Sequence, residues 1–240
     1  MLHRNSFLIA LILCIFCAGC GQLPRDPEKT LSRVQQGKRL RVGLVEHPPW
    51  VARTEGEPSG AEVELVKEFA REIGATPEWH WGGEQEQMEA LEHYQLDLLV
   101  GGLTSETAWS KYVGLTSPYF ESRVVVGVDK SAPPLKSVKG VPVAVESGDA
   151  SAYYLEGKGA SVVPVDDLAR ANSAAVAAPE WQLEKLGLAP TDVDLRTEKH
   201  VMAAPPGENA FIKRLDEFLY QRRGDVKGLL EQQPQQEARR

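Results

Sequence analysis

The strongest constraint on this chain is a strand-then-helix alternation that runs once from residue 39 and starts again at residue 141. Residues 39–45 alternate apolar and other side chains, the signature of a strand, and Pro48 and Pro49 end it because proline cannot continue a hydrogen-bonded ladder. Residues 62–73 carry Val66, Phe69, Ala70 and Ile73 at helical spacing, with Gly74 where a C-terminal cap belongs. A strand at 78–81, a helix at 85–94 and a buried strand at 96–100 follow, the last running into Gly101 and Gly102. The β-branched run 123–128 is placed to carry the chain into a second unit. There the pattern repeats: strands at 141–145, 161–165 and 174–178, helical segments at 147–156, 166–170 and 180–186. Residues 200–204 are expected to return the chain to the first unit. An amphipathic helix at 209–223 then presents Phe211, Leu215, Phe218 and Leu219 on one side. Alternating strands and helices imply an α/β architecture, and two such runs imply two lobes with a cleft between them.

The N-terminus bears on where such a fold works. A basic start with Arg4, an apolar run over 7–16, and Cys17, Ala18, Gly19 and Cys20 are the parts of a secretory signal. The apolar run is short for a bilayer span, which needs about 20 residues. The ending resembles the lipoprotein signal of bacteria, which implies cleavage before Cys20 and lipid on it. The expectation is an exported domain held to a membrane surface, in the periplasm or at the cell surface. In a Gram-negative cell, Gly21 after the lipidated residue resembles outer-membrane sorting. Residues 1–19 are read as the signal, 20–37 as a polar tether with a short helix near 28–35, and 232–240 as a disordered tail.

All three cysteines (Cys14, Cys17 and Cys20) lie in that leader, so the domain behind it has no thiol for a disulfide, a metal or catalysis. The histidines, His3, His47, His80, His93 and His200, show no metal-ligand spacing. No nucleophile elbow or phosphate-binding glycine loop occurs. No cofactor and no metal are therefore expected. The formal net charge of −7 and the absence of a Lys/Arg cluster argue against nucleic acid as a partner.

An ordered set of short stretches carries a resemblance. They are residues 40–44, Pro48-Pro49-Trp50, 60–74, Leu96-Asp97-Leu98, Gly101-Gly102-Leu103-Thr104, Thr116-Ser117-Pro118-Tyr119, Val138-Lys139-Gly140 and 143–148. Together they resemble the bacterial extracellular solute-binding proteins of family 3, over about 38–230. The resemblance implies the type 2 periplasmic-binding-protein fold: lobe 1 over 38–123, lobe 2 over 124–199, and a return to lobe 1 with a C-terminal helix over 200–231. It also implies a ligand cleft between lobes that close by hinge motion. The implied partners are a small-molecule solute and a membrane transporter permease.

Members that bind amino acids place an Arg five residues after the Thr of the Gly-rich strand end, where it grips the ligand carboxylate. Here that position is Trp109. The Gly-Thr pair that opens the first helix of lobe 2 is replaced by Gly148-Asp149, and an aspartate there repels a carboxylate or caps the helix. Candidate ligand residues are Trp50, Leu103, Thr104, Trp109, Ser147 and Asp149, with Glu46 nearby. Trp50 and Trp109 are read either as flat faces over a cationic, methylated or ring-like solute or as packing residues. Trp109 in the second role plugs the arginine position. A standard α-amino acid is not the expected ligand. The leading function is solute capture without catalysis. The alternatives are a sensory or accessory subunit with a degenerate cleft, and a dehydratase-like enzyme acting on a cyclic carboxylic acid.

Overall fold

The computed structural model describes residues 26–133 and 135–232. The expected signal 1–19, the lipidation residue Cys20, the first tether residues and the tail 233–240 lie outside the described residues. Among the described residues no helix is long and apolar enough to cross a membrane.

The chain forms two five-stranded mixed sheets. The first has the order β2-β1-β3-β10-β4, from β1 (Arg39–Leu44), β2 (Thr76–Trp81), β3 (Leu98–Val100), β4 (Gly114–Leu115) and β10 (Ala203–Ala204). The second has the order β7-β6-β8-β5-β9, from β5 (Phe120–Asp129), β6 (Pro142–Glu146), β7 (Ser161–Val165), β8 (Ala175–Pro179) and β9 (Leu188–His200). Parallel pairing of β1 with β2 and β3, and of β6 with β7 and β8, requires crossover helices. These are α2 (Ala61–Glu72), α3 (Glu84–Glu92) and α4 (Ser151–Gly157), with a 3-10 turn (Leu168–Arg170) between β7 and β8; α5 (Glu180–Lys185) leads from β8 to β9. Helix α6 (Asn209–Arg222) packs Phe211 and Phe218 against Phe69 of α2, and α7 (Val226–Gln232) follows it. The order of elements matches the two-lobed α/β expectation.

Three features depart from the sequence reading. The short helix expected within the tether forms as α1 (Thr30–Gly37), but it is docked, with its Val34 fully buried in the lobe 1 core. It docks because the fully buried Glu208 accepts the backbone amides of Glu28 and Thr30, both at 2.7 Å. Helix α2 caps on Gly60 with Glu62 turned inward and fully buried, although a glutamate in a first turn ordinarily faces water. Most consequential is β9, which the pattern did not announce. It alternates Val193 and Leu195, which are buried, with Asp192 and Asp194, which are exposed, but polar residues flank this core so closely that the run reads as loop.

Strands β5 and β9 pair antiparallel over most of their length and form a long ribbon. Beyond the ribbon, Val201 and Met202 pass back into the lobe 1 core, where Val201 N–H bonds Leu103 O at 2.9 Å and Met202 N–H bonds Thr116 Oγ1 at 2.9 Å. The ribbon is thus both an edge of sheet 2 and the link to lobe 1.

Candidate functional site

The strand ends of the two sheets meet the β5/β9 ribbon, and the candidate residues are distributed around this junction. In an α/β fold, the C-terminal ends of parallel strands open onto the ligand crevice. On the lobe 1 side these ends carry His47, Trp50, Gly102 and Thr104. His47 Nδ1–H donates to Gly101 O at 3.0 Å. Gly102 has a left-handed φ of 68°, and a Cβ there would sit 2.6 Å from His47 Nδ1 and 2.7 Å from Trp50 Cδ1. Only glycine therefore fits between these rings. Glu62 reaches up from below. Its Oε2 accepts the amides of Gly101 and Gly102 at 2.7 and 2.8 Å, and its Oε1 accepts the Tyr119 hydroxyl at 2.6 Å. Burial pushes the Glu62 carboxyl above its ordinary value, opposed by the Tyr119 bond, the two amides and the nearby His200.

Trp50 is only 3% exposed. Its ring lies 4.0 Å from the His200 imidazole at 30°, and the edges of Tyr119 and Phe120 close around it at 6.5 and 5.9 Å. An open face over a ligand is thus absent here, and the imidazole occupies that place. Leu103 is buried in a cluster with Met88, Leu91, Leu99 and Val113. Thr104 is half-buried and bridges His200 on the return strand. Trp109 sits in a short 3-10 turn (Ala108–Lys111), packs against the same cluster as Leu103 and meets Tyr112 edge-on at 5.9 Å. Trp109 is half-buried there.

On the lobe 2 side, Ser147 is exposed and its hydroxyl donates to Val165 O and Asp166 Oδ1 at 3.2 Å. Asp149 performs the capping role: Oδ1 accepts Ser151 N–H at 2.6 Å at the start of α4. It also pairs with Arg196 Nη2 at 3.2 Å. Glu146, at the end of β6, is pushed up by the protein around its carboxyl and by Asp149, while His47 of lobe 1 pulls it down. Glu146 itself is exposed.

The candidate residues the sequence reading missed lie on the ribbon. Phe120 pairs with His200, Ser122 with Glu198, and Val124 with Arg196. Alternate residues of a strand share a face, so Arg196, Glu198 and His200 form one polar row. Arg196 Nη2 bonds Glu198 at 2.6 Å as well as Asp149. His200 Nε2 stands 3.5 Å from Glu198 Oε2, within ion-pair range, but the alignment makes no hydrogen bond. The only sequence signal was the i, i+2 spacing of three polar residues before the return strand. One surface depression lies away from the ribbon near Asp26 and Lys29, and another, near Lys136, borders β9 at Asp192, Val193 and Asp194.

The profile of the bacterial extracellular solute-binding proteins, family 3, matches residues 40–231, and the chain belongs to that family. Its fold is similar to an ancestral cationic amino acid solute-binding protein, with a TM-score of 0.73 at 22% identity, covering 85% of this chain and 99% of that one. The GluR0 ligand-binding core, solved with L-glutamate, matches with a TM-score of 0.60 at 19% identity, covering 79% and 96%. Among curated relatives, the membrane-bound lytic murein transglycosylase F of Actinobacillus pleuropneumoniae serotype 5b (strain L20) is 32% identical over 103 residues, 42% of this chain and 21% of the relative. The counterpart from Vibrio cholerae serotype O1 is 27% identical over 117 residues, 48% of this chain and 22% of the relative. The chain thus spans about a fifth of the length of these relatives.

Proposed function

We propose that this chain is an extracytoplasmic solute-binding protein, tethered through lipid on Cys20, that captures a small solute between its lobes and delivers it to a membrane permease. The solute carries no free carboxylate. The observation that supports this is the state of Arg196, the basic side chain of the junction, which is committed to Asp149 and Glu198. A bound carboxylate would have to displace one of these partners and meet the negative charge of the other. The mechanism is binding and hinge closure, with no bond made or broken.

Titration of the purified domain with matched solutes, followed by calorimetry and melting temperature, tests this. Uncharged or cationic solutes raise the melting temperature, because a ligand of the native state adds stability, and α-amino acids do not. Selective tight binding of ordinary amino acids sinks the reading. The Trp50–His200 stack favours a second reading, a sensory or accessory subunit whose cleft is filled by its own side chains. A protein that responds to no solute and still engages a membrane partner would fit it.

A further inference from the structure

We infer that helix α5 is an interlobe latch: docked on α7, it holds lobe 2 at a fixed angle to lobe 1, and the hinge motion that closes the cleft has to reseat or release it. The inference concerns the regulation of the cleft proposed above. It rests on the solute-binding reading only for that consequence, because the latch itself is measured without a solute.

Helix α5 belongs to lobe 2 by its place in the chain, between β8 and β9. Its two apolar faces nevertheless go to different lobes. Leu183 is fully buried with Val125, Ala144, Val176 and Ala178 of sheet 2. Trp181, two residues earlier and so about 200° around the helix, is buried in the lobe 1 cluster that holds Phe218, Val226 and Leu230. Glu184 and Lys185 follow Trp181 by three and four positions and share its face. Glu184 pairs with Lys227 of α7 at 2.9 Å, and Lys185 Nζ donates to Leu230 O at 3.4 Å. An apolar plug and two polar contacts thus join the lobes in addition to the ribbon.

The position of α5 makes this contact sensitive to lobe rotation. Alternate residues of a strand face opposite sides of its sheet. Helix α4, which Asp149 caps, packs through Leu155 on the side of Val143, Val145 and Ala177. Helix α5 packs on the side of Ala144, Val176 and Ala178. A rotation of lobe 2 about the ribbon, which lies in this sheet, moves the two sides in opposite senses relative to lobe 1. Closure on a solute beside α4 therefore changes the seat of α5 on α7, and the energy of that seat enters the equilibrium between lobe arrangements.

The seat is also weak enough to yield. Trp181 Nε1 is buried with no hydrogen-bond partner among the described residues, and an unpaired buried donor costs stability. Release exposes that N–H to water and returns the cost. The Glu184–Lys227 pair is about half exposed on both sides, where an ion pair contributes little by itself. Trp181 supplies the hold, and the pair sets its register.

The test is the distance between spin labels on the two lobes of the ligand-free chain, read by pulsed electron paramagnetic resonance. With Cys14, Cys17 and Cys20 replaced by serine no native thiol remains. Glu86→Cys on α3 and Glu156→Cys on α4 then place one label on each lobe at exposed positions. The variants are Trp181→Ala, the single reversals Glu184→Lys and Lys227→Glu, and the double reversal. The expected result is that Trp181→Ala and each single reversal shift or broaden the distance distribution by more than about 2 Å, and that the double reversal brings it back toward wild type. Glu184 and Lys227 are exposed, so the reversals fold even if Trp181→Ala does not, and they then decide alone. A wild-type distribution in every folded variant overturns the latch, and so does a shift in the single reversals that the double reversal fails to restore. No solute enters the measurement: a failed latch leaves the solute-binding reading standing, and a chain that binds no solute leaves the latch standing.

Discussion

The Tyr119 hydroxyl donates a 2.6 Å hydrogen bond to the buried carboxylate of Glu62, and this one contact ties the first turn of α2 to the start of the ribbon. The other oxygen of Glu62 holds the Gly101 and Gly102 amides, which position the strand end facing the cleft. The glutamate therefore fixes the loop that carries Leu103 and Thr104 relative to the hinge. Replacement by Ala leaves two amides and a hydroxyl buried without partners, at about 1–3 kcal/mol each. Glu62→Ala is expected to lose about 3 kcal/mol or more in chemical denaturation, and Glu62→Gln, which can still accept from the amides, markedly less.

Glu62 also predicts a pH dependence. Its folded value is raised above the ordinary 4.5 by burial, so between those two values the folded state holds more protons than the unfolded one. Stability attributable to this residue is therefore full below 4.5 and declines as pH rises through the folded value. Wild type minus Glu62→Gln stability, measured by denaturation from pH 4 to about 8, should show this decline. A flat difference would refute it.

Asp97 gives the opposite sign. Burial pushes its carboxyl up, but hydrogen bonds from Arg41 and Arg33 outweigh that and hold it below the ordinary 3.8. Its contribution is present above 3.8 and is lost as pH falls through the folded value. Asp97→Ala leaves two arginines facing a buried gap and is expected to cost about 3–5 kcal/mol near neutral pH, with the deficit narrowing in acid. Urea midpoints at two pH values check both parts.

Glu208 clasps the N-terminal segment to the start of α6 through the amides of Glu28 and Thr30. Hydrogen bonds to a charged acceptor are worth about 1.5–3 kcal/mol each. Glu208→Ala should free α1 from the lobe without unfolding the rest. Hydrogen exchange at residues 28–37 would accelerate at least ten-fold while that of β6 stayed unchanged.

Gly102→Ala is expected to disturb the junction locally. The added Cβ meets His47 and Trp50 ring atoms inside 3 Å at a left-handed φ, so the rings must shift. A loss of about 1–3 kcal/mol and a change in Trp50 fluorescence are expected, measured against a variant with the other tryptophans removed.

Much of this was readable beforehand because it is local. The alternation of 39–45 and the helical spacing of Val66, Phe69 and Ala70 follow from periodicity, and periodicity follows from which face is buried. Trp109 is visible in the sequence by its position alone, and its packing against the Leu103 cluster is visible only in the structure. The reverse holds for Trp50, whose neighbour His200 lies 150 positions away in the chain, so no local spacing announces the contact between the two rings. Strand β9 and its polar row escaped notice because charged residues at alternate positions look the same in a loop and on the edge of a ribbon.

The sequence by itself determined the two α/β lobes and their order, since these depend on local pattern and residue chemistry. Only the tertiary structure decided that Glu62 and Glu208 turn inward and that Arg196 is spent on two carboxylates. It also aligned Ser122, Glu198 and His200 on one face. Those outcomes depend on strand register and on partners brought from distant parts of the chain, and no local spacing encodes them.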